Sequence, residues 1–254
     1  MILAVLQART SSSRLPGKVL KPIMGKPMLA RQLERVNRAS KVDRLIVATS
    51  VDVSDNDLAT LCGELGQPCF RGSLDDVLNR FYLAVQEEKP EHVVRLTGDC
   101  PLADPSLIDS VIQYHLDGAY DYVSNGLEPT FPDGLDVEVM RFVALETAWK
   151  EAKLPSEREH VTPFIWNQPE RFKIAAFKGE VDRSHLRWTV DEPDDLELVR
   201  QIYGELYPRN PEFTTEDILQ LLEERPELCQ LNSSFKRNEG FDISLEKDKA
   251  EGTR

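Results

Sequence analysis

Ile2-Leu-Ala-Val-Leu6 is an unbroken apolar run, and a run of this kind bounded by polar residues reads as a strand covered on both faces. Comparable runs recur at Leu45–Ser50 and His92–Thr97, with shorter ones at Tyr120–Ser124, Leu135–Val139 and Arg187–Val190. Helical patterns lie between them: Asp55–Leu65 with Asp55 as N-cap, a helix opened by Asp104 with Pro105 at its first position, and Asp194–Leu206. Strand–helix alternation predicts an α/β fold with a mostly parallel mixed sheet sandwiched by helices. In such a sheet the loops at the carboxyl ends of strands build the site, here the loops after Leu6, Ser50, Thr97 and Val190. Residues 1–231 are expected to form one domain. Within it, residues 124–177 break the alternation and read as an inserted substructure over the site or at a subunit contact. Residues 232–254 are polar and charged and read as a poorly ordered tail.

The net charge of −13 argues against a nucleic-acid surface but not against a nucleotide substrate, which needs only a few local cations and a metal. No apolar stretch reaches membrane-spanning length, and the opening residues lack a basic leader, so a cytoplasmic location is the default expectation. Cys62, Cys69, Cys100 and Cys229 show no C-x-x-C spacing and are expected to be reduced thiols. The four histidines, at 92, 115, 160 and 185, give no zinc spacing.

The first strand empties into Gln7-Ala-Arg-Thr-Ser-Ser-Ser-Arg-Leu-Pro-Gly-Lys18, which carries Arg9, Arg14 and Lys18 and matches neither common phosphate-loop pattern. Three cations on one loop beside backbone N–H groups suit a polyanion, most simply a triphosphate. Asp99, in Thr97-Gly-Asp-Cys-Pro101, and Asp191, in Thr189-Val-Asp191, each follow a strand directly, and two such carboxylates can hold one Mg²⁺ against phosphate oxygens. Asp191 could equally cap the helix that begins at Pro193. Arg71-Gly-Ser73 forms a turn before a helix and offers hydrogen bonds to a nucleobase. Asp136 and Glu138 are two apart on an expected strand and share a face.

Together these motifs resemble the cytidylyltransferases that make CMP-activated acidic sugars, including the 3-deoxy-manno-octulosonate and acylneuraminate enzymes. The likeness is greatest to the spore coat polysaccharide biosynthesis protein F branch. It is carried by Leu6–Lys18 with Gly25-Lys-Pro-Met28, Val47–Ser50, Arg71–Ser73 with Asp76-Val77, Thr97–Pro101, Pro132–Val139, Glu157–Val161 and Thr189–Asp191. The resemblance implies a Rossmann-like nucleotide-diphospho-sugar transferase fold, Mg²⁺-dependent use of CTP, and a homodimer. It implies Asp99 and Asp191 as metal ligands and Arg9, Arg14 and Lys18 as the phosphate loop. The expected nucleotide contacts are Leu6, Ala8, Arg9, Ser11, Arg14, Lys18, Thr49, Arg71, Ser73, Thr97 and Gly98. The expected sugar contacts are Asn125, Asp136, Glu138, Glu157, His160 and Arg187. Cys100 stands where the octulosonate enzymes usually carry an acidic residue, and the segment around 131–161 also departs from them.

The expected reaction is CTP plus a sugar giving a CMP-sugar and pyrophosphate, with Arg9, Lys18, Asp99 and Asp191 as its catalytic set and Asp191 or Asp136 as candidate base. Use of another nucleoside triphosphate is the nearest alternative. A glycosyltransferase of related architecture would carry D-x-D at a central strand end, where this chain has Gly98-Asp-Cys100.

Overall fold

The computed structural model describes residues 1–235, 237, 241, 244–246, 248 and 249. The strands and helices run β1 (Ile2–Gln7), β2 (Pro22–Ile23), β3 (Lys26–Pro27), α1 (Met28–Val36), β4 (Arg44–Ser50), α2 (Asn56–Glu64), β5 (Cys69–Gly72), α3 (Val77–Leu83), β6 (His92–Thr97), α4 (Pro105–Asp117), β7 (Tyr122–Ser124), β8 (Glu138–Arg141), α5 (Phe142–Glu151), α6 (Pro155–His160), α7 (Pro163–Trp166), β9 (Ile174–Ala176), α8 (Pro193–Leu206) and α9 (Thr215–Glu224). Seven strands form one sheet in the order β5-β4-β1-β6-β8-β7-β9. The first four are mutually parallel, β8 runs antiparallel to both neighbours, and β9 pairs parallel with β7.

β1 explains why its sequence is apolar throughout. Ala4 and Leu6 enter the core on one face, with residues of α1, α2, α4, α8 and α9, while Leu3 and Val5 enter the core on the other, with α3, α5 and α7. Alternation of side chains along a strand gives both faces something to bury, and burial removes each from water at about 25 cal/mol per Å². The α/β sandwich expected from strand–helix alternation is therefore present. Residues 124–177 are not set apart from it, because they contribute β8 and β9 to the same sheet and α5 and α7 to its second face.

Two expected strands take another form. Leu135–Val137 carry no strand, and β8 begins only at Glu138. The Asn125 side chain occupies the place of a ladder there, donating to Leu135 O at 2.8 Å and accepting from Val137 N at 2.8 Å. Arg187–Val190 make a single bridge to Asp133 rather than a strand. Trp188 N and Thr189 N both donate to Asp133 O, and Val190 N donates to Asp99 O at 2.8 Å. All four cysteines are unbonded thiols, and no helix among the described residues is long and apolar enough to cross a membrane.

The polar segment from 232 falls partly outside the described residues, and those described do not stand away from the domain. Asn232 is buried, donating to Arg187 O and Asp195 Oδ1 at 2.9 and 2.8 Å, because an amide can satisfy two acceptors that the neighbouring backbone leaves open.

Gly134 shows how tightly the 133–137 and 187–190 segments are joined. It adopts φ +104°, and a Cβ there would lie 2.3 Å from Thr189 N. Gly134→Ala should therefore destabilise the protein by about 2–4 kcal/mol in denaturant titration, through both overlap and backbone strain. A loss under about 0.5 kcal/mol would show that the two segments separate at little cost.

Candidate active site

The loop after β1 is held by a buried carboxylate. Asp55 stands at the N-cap position of α2 but makes no capping bond there. Its Oδ1 accepts from Thr10 N and Thr10 Oγ1, each at 2.7 Å, and its Oδ2 accepts from Ser50 N and Ser50 Oγ. Burial works against the charge, yet these hydrogen bonds hold the carboxyl below its ordinary pKa. Thr10 O in turn receives Ser12 N and Gly17 N, both at 2.9 Å, which closes the loop on itself. Gly17 takes φ +68° at this turn, a conformation suited to glycine.

The loop after β6 is fixed from below. Gln32 donates to Thr97 O at 2.7 Å, Arg35 to Ala103 O at 2.7 Å, and Tyr203 to Pro101 O at 2.8 Å. Gly98 N donates to Gln7 O at 2.8 Å, and a Cβ on Gly98 would sit 2.8 Å from that of Ala8, so glycine is required for the two loops to touch.

At their junction the Lys18 ammonium lies 2.8 Å from Asp191 Oδ1 and 3.3 Å from Asp99 Oδ2. Burial opposes its charge, but Asp99 and Asp191 outweigh that and raise its pKa above the usual lysine value. Asp99 feels the converse. Burial alone would lift its carboxyl, and Lys18 together with Thr97 brings it down to about 2. Asp191 does not cap α8, whose N-cap is Glu192. It meets Arg14 at 3.1 Å and Arg187 at 3.3 Å as well as Lys18.

Two cavities of about 500 Å³ each open from this junction. Arg14, Arg95, Thr97, Asp99, His160 and Asp191 line both. The first is otherwise basic and loop-lined, with Ala8, Arg9, Ser11, Lys18, Gly98 and Arg80 in its wall. The second holds Tyr122, Asp133, Asp136, Glu138, Arg187 and Arg237. A positive cleft in a chain of net charge −13 is a local device for a polyanion, since the chain as a whole repels one.

A family model described as cytidylyltransferase matches residues 3–240. The chain belongs to the cytidylyltransferase family. An uncharacterized protein of Methanocaldococcus jannaschii is 37% identical over 238 residues, 93% of this chain and 96% of that one. The spore coat polysaccharide biosynthesis protein SpsF of Bacillus subtilis is 32% identical over 238 residues, 89% of this chain and 95% of that one. The solved structure of a cytidylyltransferase from Leptospira borgpetersenii is 29% identical with a TM-score of 0.86, covering 93% of this chain and 99% of that chain. The motif resemblance and the fold it implied are thus borne out, and the chain is an enzyme of the nucleotidyltransferase class.

In this cytidylyltransferase the first cavity gathers Ala8, Arg9, Ser11, Arg14, Lys18, Thr97, Gly98, Asp99 and Asp191 from the sequence-predicted set, and the second gathers Asp136, Glu138, His160 and Arg187. Other members of the set lie outside both cavities. Leu6 and Thr49 are fully buried in their strands. Arg71 donates to Ser50 O and Asp52 O at 2.8 and 3.0 Å, which fixes the segment after β4, and Ser73 Oγ accepts from Asp76 N, which fixes the turn before α3. Asn125 joins β7 to the 135–137 segment as described above. Glu157 caps α6 by accepting from Lys153 N and Leu154 N.

Arg80, Arg95, Asp133 and Arg237 line the cavities without having been singled out in sequence. Arg95 was the most accessible of these, since it stands two residues before Thr97 on an otherwise apolar strand and so shares its face. It pairs with Glu138, whose other oxygen accepts from Tyr122 OH at 2.7 Å. Arg80 is 2% exposed, donates to Ser73 O and Leu74 O, and is lowered to about 10 by burial and by the neighbouring charge of Arg9.

The donors suit a hard divalent cation. Among the described residues no group of three or more His, Cys, Asp or Glu forms a metal cluster, and Asp99 and Asp191 are the two carboxylates that line both cavities. Burial and the Asp99 charge push the Cys100 thiol well above its ordinary pKa, which leaves it neutral and unsuited to a hard ion. Mg²⁺ needs only one or two carboxylates when phosphates and water complete its shell. The Lys18 ammonium between these two carboxylates marks a place where positive charge is favoured.

Two outcomes follow from this geometry. Asp55→Ala should lower stability by about 2–4 kcal/mol in denaturant titration and also weaken CTP binding by calorimetry, because Thr10 loses its anchor. Unchanged CTP affinity would dissociate Asp55 from the loop. Asp133 is raised to about 7 by burial and by Asp136, with Arg237 and Arg187 offsetting only part. Its folded form therefore keeps a proton that the unfolded chain releases near pH 4. The stability from this group is complete below about pH 4 and is lost as pH rises toward 7. Asp133→Asn should flatten that fall in unfolding free energy, and an unaltered pH slope would contradict the assignment.

Proposed function

We propose that this cytidylyltransferase activates a sugar acid: CTP plus the sugar gives the CMP-sugar and pyrophosphate, for a surface polysaccharide or glycan. The observation that carries the reading is the pairing of a basic loop cavity with a second, polar cavity across the shared carboxylates Asp99 and Asp191. A nucleoside triphosphate in the first and a sugar in the second would bring a sugar hydroxyl and the α-phosphorus to Asp99 and Asp191. The family match and the likeness to octulosonate cytidylyltransferases support CTP and a sugar acid, and the printed role of the SpsF relative supports a polysaccharide.

In this reaction a new bond forms from the sugar oxygen to the α-phosphorus. The bond from the α-phosphorus to the bridging oxygen breaks with departure of pyrophosphate, and the hydroxyl proton passes to a base. Arg9, Arg14 and Lys18 neutralise the departing pyrophosphate, and the Asp55 clamp keeps the loop that carries them in shape. Asp191 and Asp136 both reach the space where the hydroxyl would lie and are the candidate bases. Asp99 and Asp191 would hold Mg²⁺, which supplies positive charge to phosphate and hydroxyl oxygens. The remaining work is positioning and charge stabilisation, the main sources of rate in phosphoryl transfer.

A pyrophosphate-release assay crossing the four nucleoside triphosphates with sugar acids, with and without Mg²⁺, tests the reading. Release is expected with CTP, one class of sugar acid and Mg²⁺ together. Transfer of sugar from a finished nucleotide-sugar, without pyrophosphate, would replace it. Asp99→Asn should cut turnover by about 100-fold or more while melting close to the parent. Full activity in that variant would remove Asp99 from the metal site.

A further inference from the structure

The second cavity is closed on one side by residues that come late in the chain. Asn232 ties the chain to Arg187 O and Asp195, and the Phe235 ring lies 5.9 Å from the Arg187 guanidinium. Arg237 then enters the cavity wall. Its guanidinium donates to Phe131 O at 3.2 Å, pairs with Asp136, and lies 3.9 Å from Asp133. Beyond it, Phe241 sits edge-on to His160 at 5.1 Å and 5.7 Å from Trp166, and Ser244 Oγ donates to Glu159 at 2.9 Å. Arg237 and Phe241 therefore line the cavity itself.

The other arginines of this cavity are committed, and Arg14 meets Asp191 at 3.1 Å and Glu192 at 3.4 Å. Arg187 is held by Asp195 at 2.9 Å, Asp133 at 3.1 Å and Asp191 at 3.3 Å. Arg95 pairs with Glu138 and donates to Gln7 Oε1 at 3.0 Å. The carboxyl groups of Asp133, Asp136 and Glu138 in the remaining wall offer an acid no cation. Arg237 can turn without leaving its partners unsatisfied, because Asp136 retains Gly134 N at 3.2 Å and Asp133 retains Arg187. Its bond to Phe131 O anchors the guanidinium at the cavity whichever anion it faces.

We propose that Arg237 is the specificity residue for the acceptor, receiving the carboxylate of the sugar acid in a two-pronged guanidinium contact, with Asn232 and Phe241 positioning the segment that carries it. The assignment rests on the sugar-acid reading above. It makes the late segment a working wall of the acceptor pocket.

Full-length protein, Arg237→Gln and Arg237→Lys are compared for pyrophosphate release with CTP, Mg²⁺ and 3-deoxy-manno-octulosonate or N-acetylneuraminate, and for binding of the same acids by calorimetry. Arg237→Gln should raise the sugar KM by about 10- to 100-fold with the CTP KM within about twofold, and the lysine variant should recover part of the loss. Melting curves establish that each variant is folded, and the lysine variant carries the comparison if the glutamine variant is not. An unmoved sugar KM, an equal rise in both KM values, or faster turnover in Arg237→Gln would overturn the assignment, the last by identifying a plug. Turnover by the parent with an unmoved sugar KM in the variant defeats only this inference. A parent that neither binds nor uses either acid defeats the sugar-acid reading with it.

Discussion

The Lys18 ammonium shared by Asp99 and Asp191 is the contact on which the site depends. It joins the loop after β1, the loop after β6 and the segment before α8, none of which is adjacent in sequence to another. Two carboxylates this near would repel each other in a half-buried place, and removing the cation from such a group typically costs about 3–5 kcal/mol. The arrangement leaves Asp99 ionised and the Lys18 ammonium charged, so the junction is ready for a phosphate-bearing ligand without a prior proton shift at either group. Arg14, reaching Asp191 from the same loop, adds a second link of the same sign.

That junction is kept in place by buried contacts at one remove. Asp55 fixes Thr10 and Ser50 together, so the loops after β1 and β4 move as one body. Gln32, Arg35 and Tyr203 do the same for the loop after β6 by donating to its carbonyls. Each of these donors comes from a helix packed on the sheet, which places the rigidity of the site in the hydrophobic core rather than in the loops themselves.

Legibility in the sequence followed the range of the interactions. β1 and β4 were readable because each is apolar over its central residues and is buried on both faces, and β6 because Val93, Val94 and Leu96 are buried around Arg95. Arg9, Arg14, Lys18, Asp99 and Asp191 were readable because glycine, proline and strand ends mark their loops. Asp55 sat at an N-cap position and read as a cap, but its partners Thr10 and Ser50 lie in other loops and no local pattern could disclose them. Arg71 looked like a base reader because an arginine in a turn shows no partner in sequence, whereas the fold supplies Ser50 O and Asp52 O. Arg237 was indistinguishable from the solvated charges around it, since its partners Asp136 and Asp133 are about a hundred residues away.

The reversal at β8 explains why the second cavity adjoins the first. In the parallel half of the sheet only strand ends reach the active edge, which is how β1 and β6 deliver their loops. β8 runs antiparallel, so its first residue rather than its last lies at that edge. Register pairs Glu138 with Arg95, and the preceding residues 133–136 continue past the end of β6 beside Thr97 and Asp99. A parallel strand in the same position would have directed Asp133 and Asp136 to the opposite end of the sheet. One change of strand direction therefore sets a carboxyl-rich cavity against a basic one of the same volume, about 500 Å³, and Asp99 after β6 and Asp191 before α8 are the only carboxylates among the described residues that line both.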